Sequence, residues 1–358
     1  MALRVAPLAA SFAAASFPGI AAAQSSGGGG GLSWIALSMG VLGGLVLFLF
    51  GVSLLSGSLK EVAGGRMRSL LERAAAHRVR GLLAGAAATT ALDSSSVTII
   101  LLIALVDSGL LSFAHTLPVI LGSNIGTTVS SQVFAVGVDE YAPVVMLAGF
   151  LARSLGPGEA WRSWGTAALG LGLVLFGLHT IGEAVEPLKD DEAVLGWLRK
   201  AETPLWGVLA GAAFTVAIQS SSATLGIVIT LASQGLVSLP AGLAMMLGAE
   251  IGTCADTLVA TLGRSAAAVR AGVFHLLFNV ATVSLGVALI GPLRAFAEMT
   301  SGEVANQVAN AHVAFNLAGA LLFLPFTPWI ARALERVGPG RDGEADRERA
   351  AEAAGGGG

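Results

Sequence analysis

The chain has 358 residues, of which 54% are hydrophobic and only 12% are charged, and its mean hydropathy is +0.77. A soluble domain of this length would need more charge to cover its surface, so the composition excludes that class. A net charge of −3 does not favour a nucleic-acid partner, and a single cysteine, Cys254, excludes both an intramolecular disulfide and a cysteine-based metal cluster. Several apolar runs reach the ~20 residues needed to cross a bilayer, which predicts an all-α polytopic membrane protein.

The two ends of the chain differ from the apolar body. Residues 1–23 have the features of a signal peptide, because Arg4 is the only charge and a short apolar stretch and three alanines follow it. An uncleaved extra helix is the alternative interpretation. Residues 24–31 are mainly glycine and serine, which predicts a flexible linker. Residues 337–358 are rich in glycine, alanine and charge, which predicts a disordered cytoplasmic tail.

The apolar body contains an internal duplication, in which residues match those 126 positions later. One register holds from Leu49 to Thr127 without a gap. It aligns two polar motifs, in which Ser94, Ser95, Ser96 and Thr98 match Ser220, Ser221, Ser222 and Thr224. A duplication of this kind in a membrane protein is typical of transporters. We therefore divide the body into a first repeat at 32–163, a second repeat at 164–291, and a loop with a final transmembrane helix at 292–336.

Equivalent loops of the two repeats carry opposite charge. Residues 60–80 contain six basic and two acidic residues, whereas residues 186–206 contain three basic and five acidic residues. Because short basic loops favour the cytoplasm, the first loop is predicted inside and the N-terminus outside an inner or plasma membrane. By the same parity Arg332 and Arg336 lie in the cytoplasm at the C-terminal end. The opposite charges predict two repeats of inverted topology.

Each repeat contains a polar break within an apolar stretch, at 81–110 in the first and at 207–236 in the second. The two half-helices of each stretch are too short to span a bilayer, so re-entrant helical hairpins are predicted. With them the sequence predicts about seven crossings plus two hairpins. The glycine-flanked polar motifs at 122–128 and 248–254 predict a broken helix in each repeat.

Serine-rich breaks inside a membrane suit the binding of small ions. Helix N-termini present free N–H groups to an anion, and hydroxyl and carbonyl oxygens are ligands for a hard cation such as sodium. The candidate substrate-binding residues are Ser94, Ser95, Ser96, Asn124, Thr127, Gln219, Ser220, Ser221 and Ser222. The candidate cation-coupling residues are Asp93, Thr98, Thr128, Thr224, Glu250 and Thr253. Helix packing is the alternative role for these serines, but their duplication in register favours a site.

Two histidines precede Phe-Asn pairs at the same spacing. His275 lies four residues before Asn279, and His312 lies four residues before Asn316. We expect structural hydrogen bonding between helices at both places rather than metal ligation.

The combination of these motifs is similar to one known family. Gln219-Ser220-Ser221-Ser222, together with the Gly-x-Asn-Ile-Gly-Thr-Thr motif at 122–128, resembles the sodium-dependent phosphate cotransporters, and the resemblance covers residues 40–330. It implies sodium-driven entry of inorganic phosphate. The sequence has no nucleophile–His–acid set and no convincing metal cluster, so we expect no enzymatic activity and no cofactor or metal beyond the transported sodium. Such carriers often form homo-oligomers, although no feature of this sequence indicates one.

Two positions depart from the family pattern. Asp93 stands where the family usually has glutamine, and Glu250 stands where it usually has asparagine. An intramembrane carboxylate is costly unless it is paired or protonated, so we hypothesise that Asp93 or Glu250 binds the driving cation or carries a proton. The alternatives are therefore the same fold with another solute or with proton coupling, and a phosphate sensor that does not transport. A channel suits paired hairpins less well than a carrier does.

Overall fold

The computed structural model describes residues 34–337, and all regular elements in this range are helical. The predicted signal peptide, the Gly/Ser linker and the predicted tail beyond Val337 lie outside the described residues. The helices of the first half are α1 (Trp34–Ala74), α2 (Arg78–Leu92), α3 (Ser95–Asp107), α4 (Phe113–Ala135), α5 (Ala142–Leu155) and α6 (Gly158–Val185). Those of the second half are α7 (Glu192–Leu198), α8 (Pro204–Ile218), α9 (Ser221–Ser233), α10 (Leu239–Gly252), α11 (Cys254–Val259), α12 (Ala266–Ala288), α13 (Ile290–Thr300), α14 (Val304–Phe323) and α15 (Thr327–Val337).

The helices include enough long apolar segments for a multi-pass membrane protein. Five helices are long and apolar enough to cross a bilayer, and the number rises to seven if each of two bent helix pairs forms one span. One such pair joins α4 to α5 at an angle of 78°, and the other joins the α7 region to α8 at 99°. This range includes the predicted number of about seven crossings, but it reaches seven only if α8, predicted as half of a re-entrant hairpin, is counted as part of a span.

The two polar breaks fold in the same way in both repeats. Helices α2 and α8 have 15 residues each, α3 and α9 have 13 each, and their bounds differ by the same 126 positions as the sequences. At 1.5 Å per residue each helix is roughly 20 Å long, shorter than the ~30 Å hydrocarbon core. Between the helices the backbone turns through a left-handed residue, Asp93 (φ 50°) or Gln219 (φ 60°). The predicted interruption of an apolar stretch is therefore present twice.

The glycine motifs behave differently from the prediction. Helix α4 runs without a break through residues 122–128, so the broken helix predicted in the first repeat is wrong. The glycines serve close packing instead: a Cβ atom at Gly122 would lie 2.7 Å from the carbonyl carbon of Leu82 on α2. In the second repeat the equivalent Gly248 packs on Val208 of α8 in the same way, but here the helix is interrupted at Thr253, between α10 and α11.

Two connections also differ from their predicted form. Helix α1 continues to Ala74, so much of the basic loop at 60–80 is helical, and Arg68 pairs with Glu72 one turn later at 2.8 Å. In the segment at 292–336, predicted as a loop with a final transmembrane helix, much of the loop is the helix α13, and α14 ends at Phe323, where a 3-10 turn with Pro325 separates it from the amphipathic helix α15.

The packing of the helices brings the two repeats together. Helix α2 lies on α4 and α8 lies on α10, each within its own repeat, whereas α9 packs against α4 and α3 against α11. Helices α1 and α6 form a separate contact through glycines, where a Cβ at Gly51 would lie 2.7 Å from the carbonyl oxygen of Gly170. Helices α3 and α9 therefore each lie beside a helix of the opposite repeat.

Candidate functional site

The site is built from the N-termini of α3 and α9. Ser94 and Ser220 are their N-caps, and each Oγ accepts a hydrogen bond at 3.2 Å from the backbone N–H three residues later. This arrangement follows from the sequence, because serine at an N-cap satisfies an N–H group that has no intrahelical partner. The first turns of both helices still present N–H groups and the positive end of the helix dipole.

The serines that follow the caps are buried with little internal use of their hydroxyls. Ser95, Ser96, Ser221 and Ser222 are each at most 8% exposed. Within residues 34–337, the hydroxyls of Ser95, Ser221 and Ser222 and the amide of Gln219 make no side-chain hydrogen bond with another residue. These groups remain available to a bound ion.

Hydroxyl groups of the two repeats are in direct contact at the site. The Ser96 Oγ atom lies 3.4 Å from Oγ1 of Thr253, the residue that interrupts the second glycine motif. Both side chains are buried. The structure thus brings together a predicted substrate-binding residue of the first repeat and a predicted cation-coupling residue of the second.

Thr98 and Thr224 make hydrogen bonds that connect the two short helices around each break. Thr98 Oγ1 accepts a hydrogen bond from Thr89 on α2 at 2.9 Å and donates to the Ser94 carbonyl oxygen at 3.1 Å. The second repeat has the equivalent bond from Thr215 to Thr224 at 2.8 Å. Because these hydroxyls already donate and accept, they tie the two short helices of each repeat together, and their cation-coupling role remains a prediction.

Each repeat contributes one carboxylate near the first break, and the two carboxylates occupy exchanged positions of the repeats. Asp93 accepts a hydrogen bond from Ser130 on α4. In the second repeat the position of Asp93 is occupied by Gln219 and that of Ser130 by Asp256, on α11. Asp256 interacts with the hydroxyl of Ser96 across the repeats. Sequence analysis missed Asp256, although the 126-residue register aligns it with Ser130.

The glycine motif of the first repeat is held mainly by its own helix and by α12. Asn124 is 1% exposed and donates to Oδ1 of Asn279 at 2.7 Å, so the predicted bond of Asn279 between helices is confirmed. Thr127 and Thr128 each donate to a backbone carbonyl three residues earlier in α4, at 2.7 and 2.8 Å. Asn124 is therefore already engaged in a protein contact, while its binding role remains a prediction.

Glu250, the equivalent of Asn124, is held by α14. His312 Nε2 lies 2.8 Å from Glu250 Oε1, and Asn316 Nδ2 donates to the same oxygen at 3.0 Å. Glu250 is 3% exposed and His312 is fully buried. The expected structural hydrogen bonding of His312 and Asn316 is confirmed, but sequence analysis did not identify Glu250 as their partner.

Comparisons with known proteins agree with this arrangement. The sequence model of the family described as Na+/Pi-cotransporter matches residues 47–183 and 189–323. "Uncharacterized protein YqeW" of Bacillus subtilis (strain 168) is 29% identical over 298 residues, which are 83% of this chain and 97% of that protein. No solved structure gives a significant match to the chain.

Two further relatives have names that state a function. "Putative inorganic phosphate export protein YjbB" of Escherichia coli (strain K12) is 27% identical over 305 residues, 83% of this chain and 55% of that protein. The chain thus spans about half the length of this relative. "Sodium-dependent phosphate transport protein 2A" of Rattus norvegicus is 35% identical over 98 residues, 26% of this chain and 15% of that protein. Because the family match covers both repeats and most of the chain, the protein belongs to the Na+/Pi-cotransporter family.

Proposed function

We propose that the chain transports inorganic phosphate across the inner or plasma membrane by sodium-coupled symport. The observation that carries the proposal is the pair of serine-capped helix N-termini, formed in the same way in both repeats of a chain that belongs to this family. The printed name of the rat relative, a sodium-dependent phosphate transport protein, supports sodium as the coupling ion.

Phosphate would bind at the N-termini of α3 and α9. The N–H groups of the first turns and the positive ends of two helix dipoles favour an anion. The hydroxyls of Ser95, Ser221 and Ser222 and the amide of Gln219 add donors that no other described residue uses. Hydrogen bonds to a charged oxygen are roughly twice as strong as neutral ones, so several such donors would offset part of the dehydration of phosphate.

Sodium would bind beside the anion through oxygen ligands. Asp93 supplies a carboxylate at the first break, and Thr253 supplies a hydroxyl close to Ser96. Thr128 lies on α4, against which α9 packs. A cation next to a buried carboxylate would reduce the repulsion between that carboxylate and phosphate, which links the binding of the two ions.

The proposed transport cycle uses two repeats of inverted topology. The opposite charges of the loops at 60–80 and 186–206 support this orientation, with the N-terminus outside and the C-terminus in the cytoplasm. Helices α2, α3, α8 and α9 are too short to cross a bilayer, which supports two re-entrant hairpins that enter from opposite sides. Exchange of conformations between the repeats would then expose the site to each face in turn.

Phosphate export and proton coupling are the second candidates for the direction of transport and for the coupling ion. The printed name of the Escherichia coli relative is that of a phosphate export protein, and the same site could release phosphate outward under a different gradient. Asp93 is a carboxylate at the first break, where a proton could replace sodium. Either variant would use the same anion site.

Uptake of labelled phosphate into proteoliposomes tests the proposal. The purified protein is assayed with an imposed sodium gradient, an imposed proton gradient, or neither. Accumulation driven by sodium is expected for the wild type and should be lost in S221A/S222A. Ser233→Ala is the matched control, because Ser233 lies on the same helix with an exposed hydroxyl bonded to Thr230. Accumulation under the proton gradient alone would show that protons, rather than sodium ions, drive transport. Phosphate binding without accumulation would identify a sensor.

A further inference from the structure

Glu250 and His312 lie in a polar cluster that connects three helices. His312 on α14 contacts Glu250 of α10 through Nε2 at 2.8 Å and Ser131 of α4 through Nδ1 at 2.9 Å. Asn316 donates to the same carboxylate oxygen that faces His312. All four residues are at most 3% exposed, so bulk solvent does not reach these contacts.

The hydrogen bonds fix where the protons lie. The Ser131 hydroxyl donates to the carbonyl oxygen of Thr128 at 2.8 Å, so its hydrogen is already used and Nδ1 of His312 must donate to Ser131. If Nε2 were then bare and Glu250 ionised, two acceptors would face each other at 2.8 Å. A proton must therefore lie between Nε2 of His312 and Oε1 of Glu250. Whichever atom carries it, the pair has no net charge.

The chain contains an internal comparison for this cluster. On α12, His275 Nδ1 lies 3.0 Å from Thr257, whose hydroxyl donates to a backbone carbonyl, as Ser131 does in the other cluster. Asn279, one turn after His275, binds Asn124. Asn124 and Thr257 are the equivalents, in the other repeat, of Glu250 and Ser131. The two clusters thus share the contact between a histidine and a hydroxyl, but they differ at Nε2. His312 Nε2 faces the Glu250 carboxylate, whereas His275 Nε2 is buried without a hydrogen-bond partner among the described residues, and the neutral amide of Asn124 bonds Asn279 instead.

We propose that His312 is a positioning residue that keeps Glu250 electrically compensated, so that an anion can bind close to it. This inference rests on the proposed function, because it concerns the affinity for phosphate. An unpaired buried carboxylate would repel a phosphate dianion through the low-dielectric interior, and it would also be costly in itself. His312 removes both effects without contacting the substrate. Glu250 then acts as part of a neutral clamp between α10 and α14 rather than as a ligand of the driving ion.

A double-mutant cycle on phosphate affinity tests this proposal. Phosphate uptake under a sodium gradient is measured for the wild type, E250Q, H312Q and E250Q/H312Q in proteoliposomes. H312Q leaves an unpaired carboxylate and should raise the phosphate KM by about tenfold or more. E250Q keeps an amide that can donate to Nε2, so its KM should stay within about threefold of wild type, and the double variant should recover most of the affinity.

The recovery separates charge compensation from a simple structural role. If His312 only supported packing, the second substitution would leave KM unchanged or worsen it, and this result would overturn the proposal. H275Q is the matched control, because it removes the equivalent histidine without leaving a carboxylate unpaired. Its phosphate KM should not rise as that of H312Q does. A loss of sodium or proton coupling in E250Q alone would also overturn the proposal, because Glu250 would then bind the driving ion.

A second measurement separates this proposal from the proposed function. The thermal stability of the same four proteins is measured in detergent without phosphate. H312Q should melt at a lower temperature than E250Q/H312Q, although the double variant carries more changes. Wild-type protein that is folded but transports no phosphate would contradict the proposed function. The melting temperatures of the four proteins would then be the test of whether His312 compensates the charge of Glu250. Equal melting of H312Q and the double variant would overturn it.

Discussion

Asp93 and Gln219 occupy equivalent positions of the two repeats, and both have a left-handed backbone conformation, with φ values of 50° and 60°. Among the described residues they are the only ones other than glycine with positive φ. Each follows the last residue of one short helix and precedes the serine that caps the next. A polar residue is thus held at each break in a conformation that costs energy, which is typical of positions that serve function.

The strain at residue 219 can be measured. Gln219→Val should lower the free energy of unfolding by about 1–3 kcal/mol, because a β-branched residue fits the left-handed region poorly. Gln219→Gly should instead raise it by about 1 kcal/mol, because glycine adopts this conformation without a steric penalty. Denaturation in detergent followed by circular dichroism reports both changes. A glycine variant that is more stable but binds phosphate less tightly would assign the amide to binding; equal stability of all three proteins would contradict the strain.

Neighbouring serines should separate folding from binding. Ser220→Ala removes the N-cap bond to the N–H of Ala223 and should cost about 0.5–2 kcal/mol of stability. Ser221→Ala removes a hydroxyl with no internal partner among the described residues, so stability should change by less than about 0.5 kcal/mol. The phosphate KM should nevertheless rise in Ser221→Ala. Thermal melting and uptake kinetics on the same preparations test this difference, and a loss of stability in Ser221→Ala would assign that residue to packing.

The threonine pair of the second repeat should be a structural brace. Thr224→Val leaves the buried Thr215 hydroxyl without its acceptor and should destabilise the protein by about 1–3 kcal/mol. Thr224→Ser keeps the hydroxyl and should retain most of the stability. Sodium affinity is measured from the sodium dependence of uptake. If it falls in proportion to the melting temperature in both variants, the structural role of Thr224 explains the loss. A selective loss of sodium dependence in stable Thr224→Ser would instead support direct coupling.

Glycines in the contact between α8 and α10 should not tolerate a side chain. A Cβ at Gly248 would lie 2.8 Å from both the backbone nitrogen of Ala212 and the carbonyl carbon of Val208, so Gly248→Ala should cost about 1–3 kcal/mol or prevent folding. Gly57→Ala is the matched control, because no other atom lies within 4 Å of a Cβ at that position on α1. It should gain up to about 1 kcal/mol from helix propensity. Expression and thermal melting of both variants provide the measurement.

Much of the local structure could be predicted from the sequence, because it depends on local signals. The serine motifs after Asp93 and Gln219 interrupt apolar stretches, and serine is a strong N-cap, so two short helices around each break could be predicted. The duplication strengthened the prediction, since each break supported the other. The prediction of a broken helix at 122–128 was wrong for a physical reason. Glycine is typical of both a helix break and a close helix contact, and only the position of α2 distinguishes the two.

The partners of the buried carboxylates could not be predicted in the same way. Glu250 and His312 are 62 positions apart, and their contact depends on how α10 and α14 pack. The pairing of Asp93 with Ser130 likewise follows from the position of α4. Asp256 does not stand out in the sequence for a simpler reason: it lies outside the matching motifs of the duplication, at a position where one repeat has a hydroxyl and the other a carboxylate.

The glycine-lined contact between α1 and α6 limits how the molecule can move. Where backbones touch, as at Gly51 and Gly170, there are no side chains whose rotamers could adjust to sliding. Helices α1 and α6 should therefore behave as one rigid body, and so should α2 with α4 and α8 with α10. Displacement during a cycle would be confined to the surfaces where side chains meet, between Ser96 and Thr253 and around His312. The contact between Ser96 and Thr253 would then both line the proposed ion site and change when the repeats move.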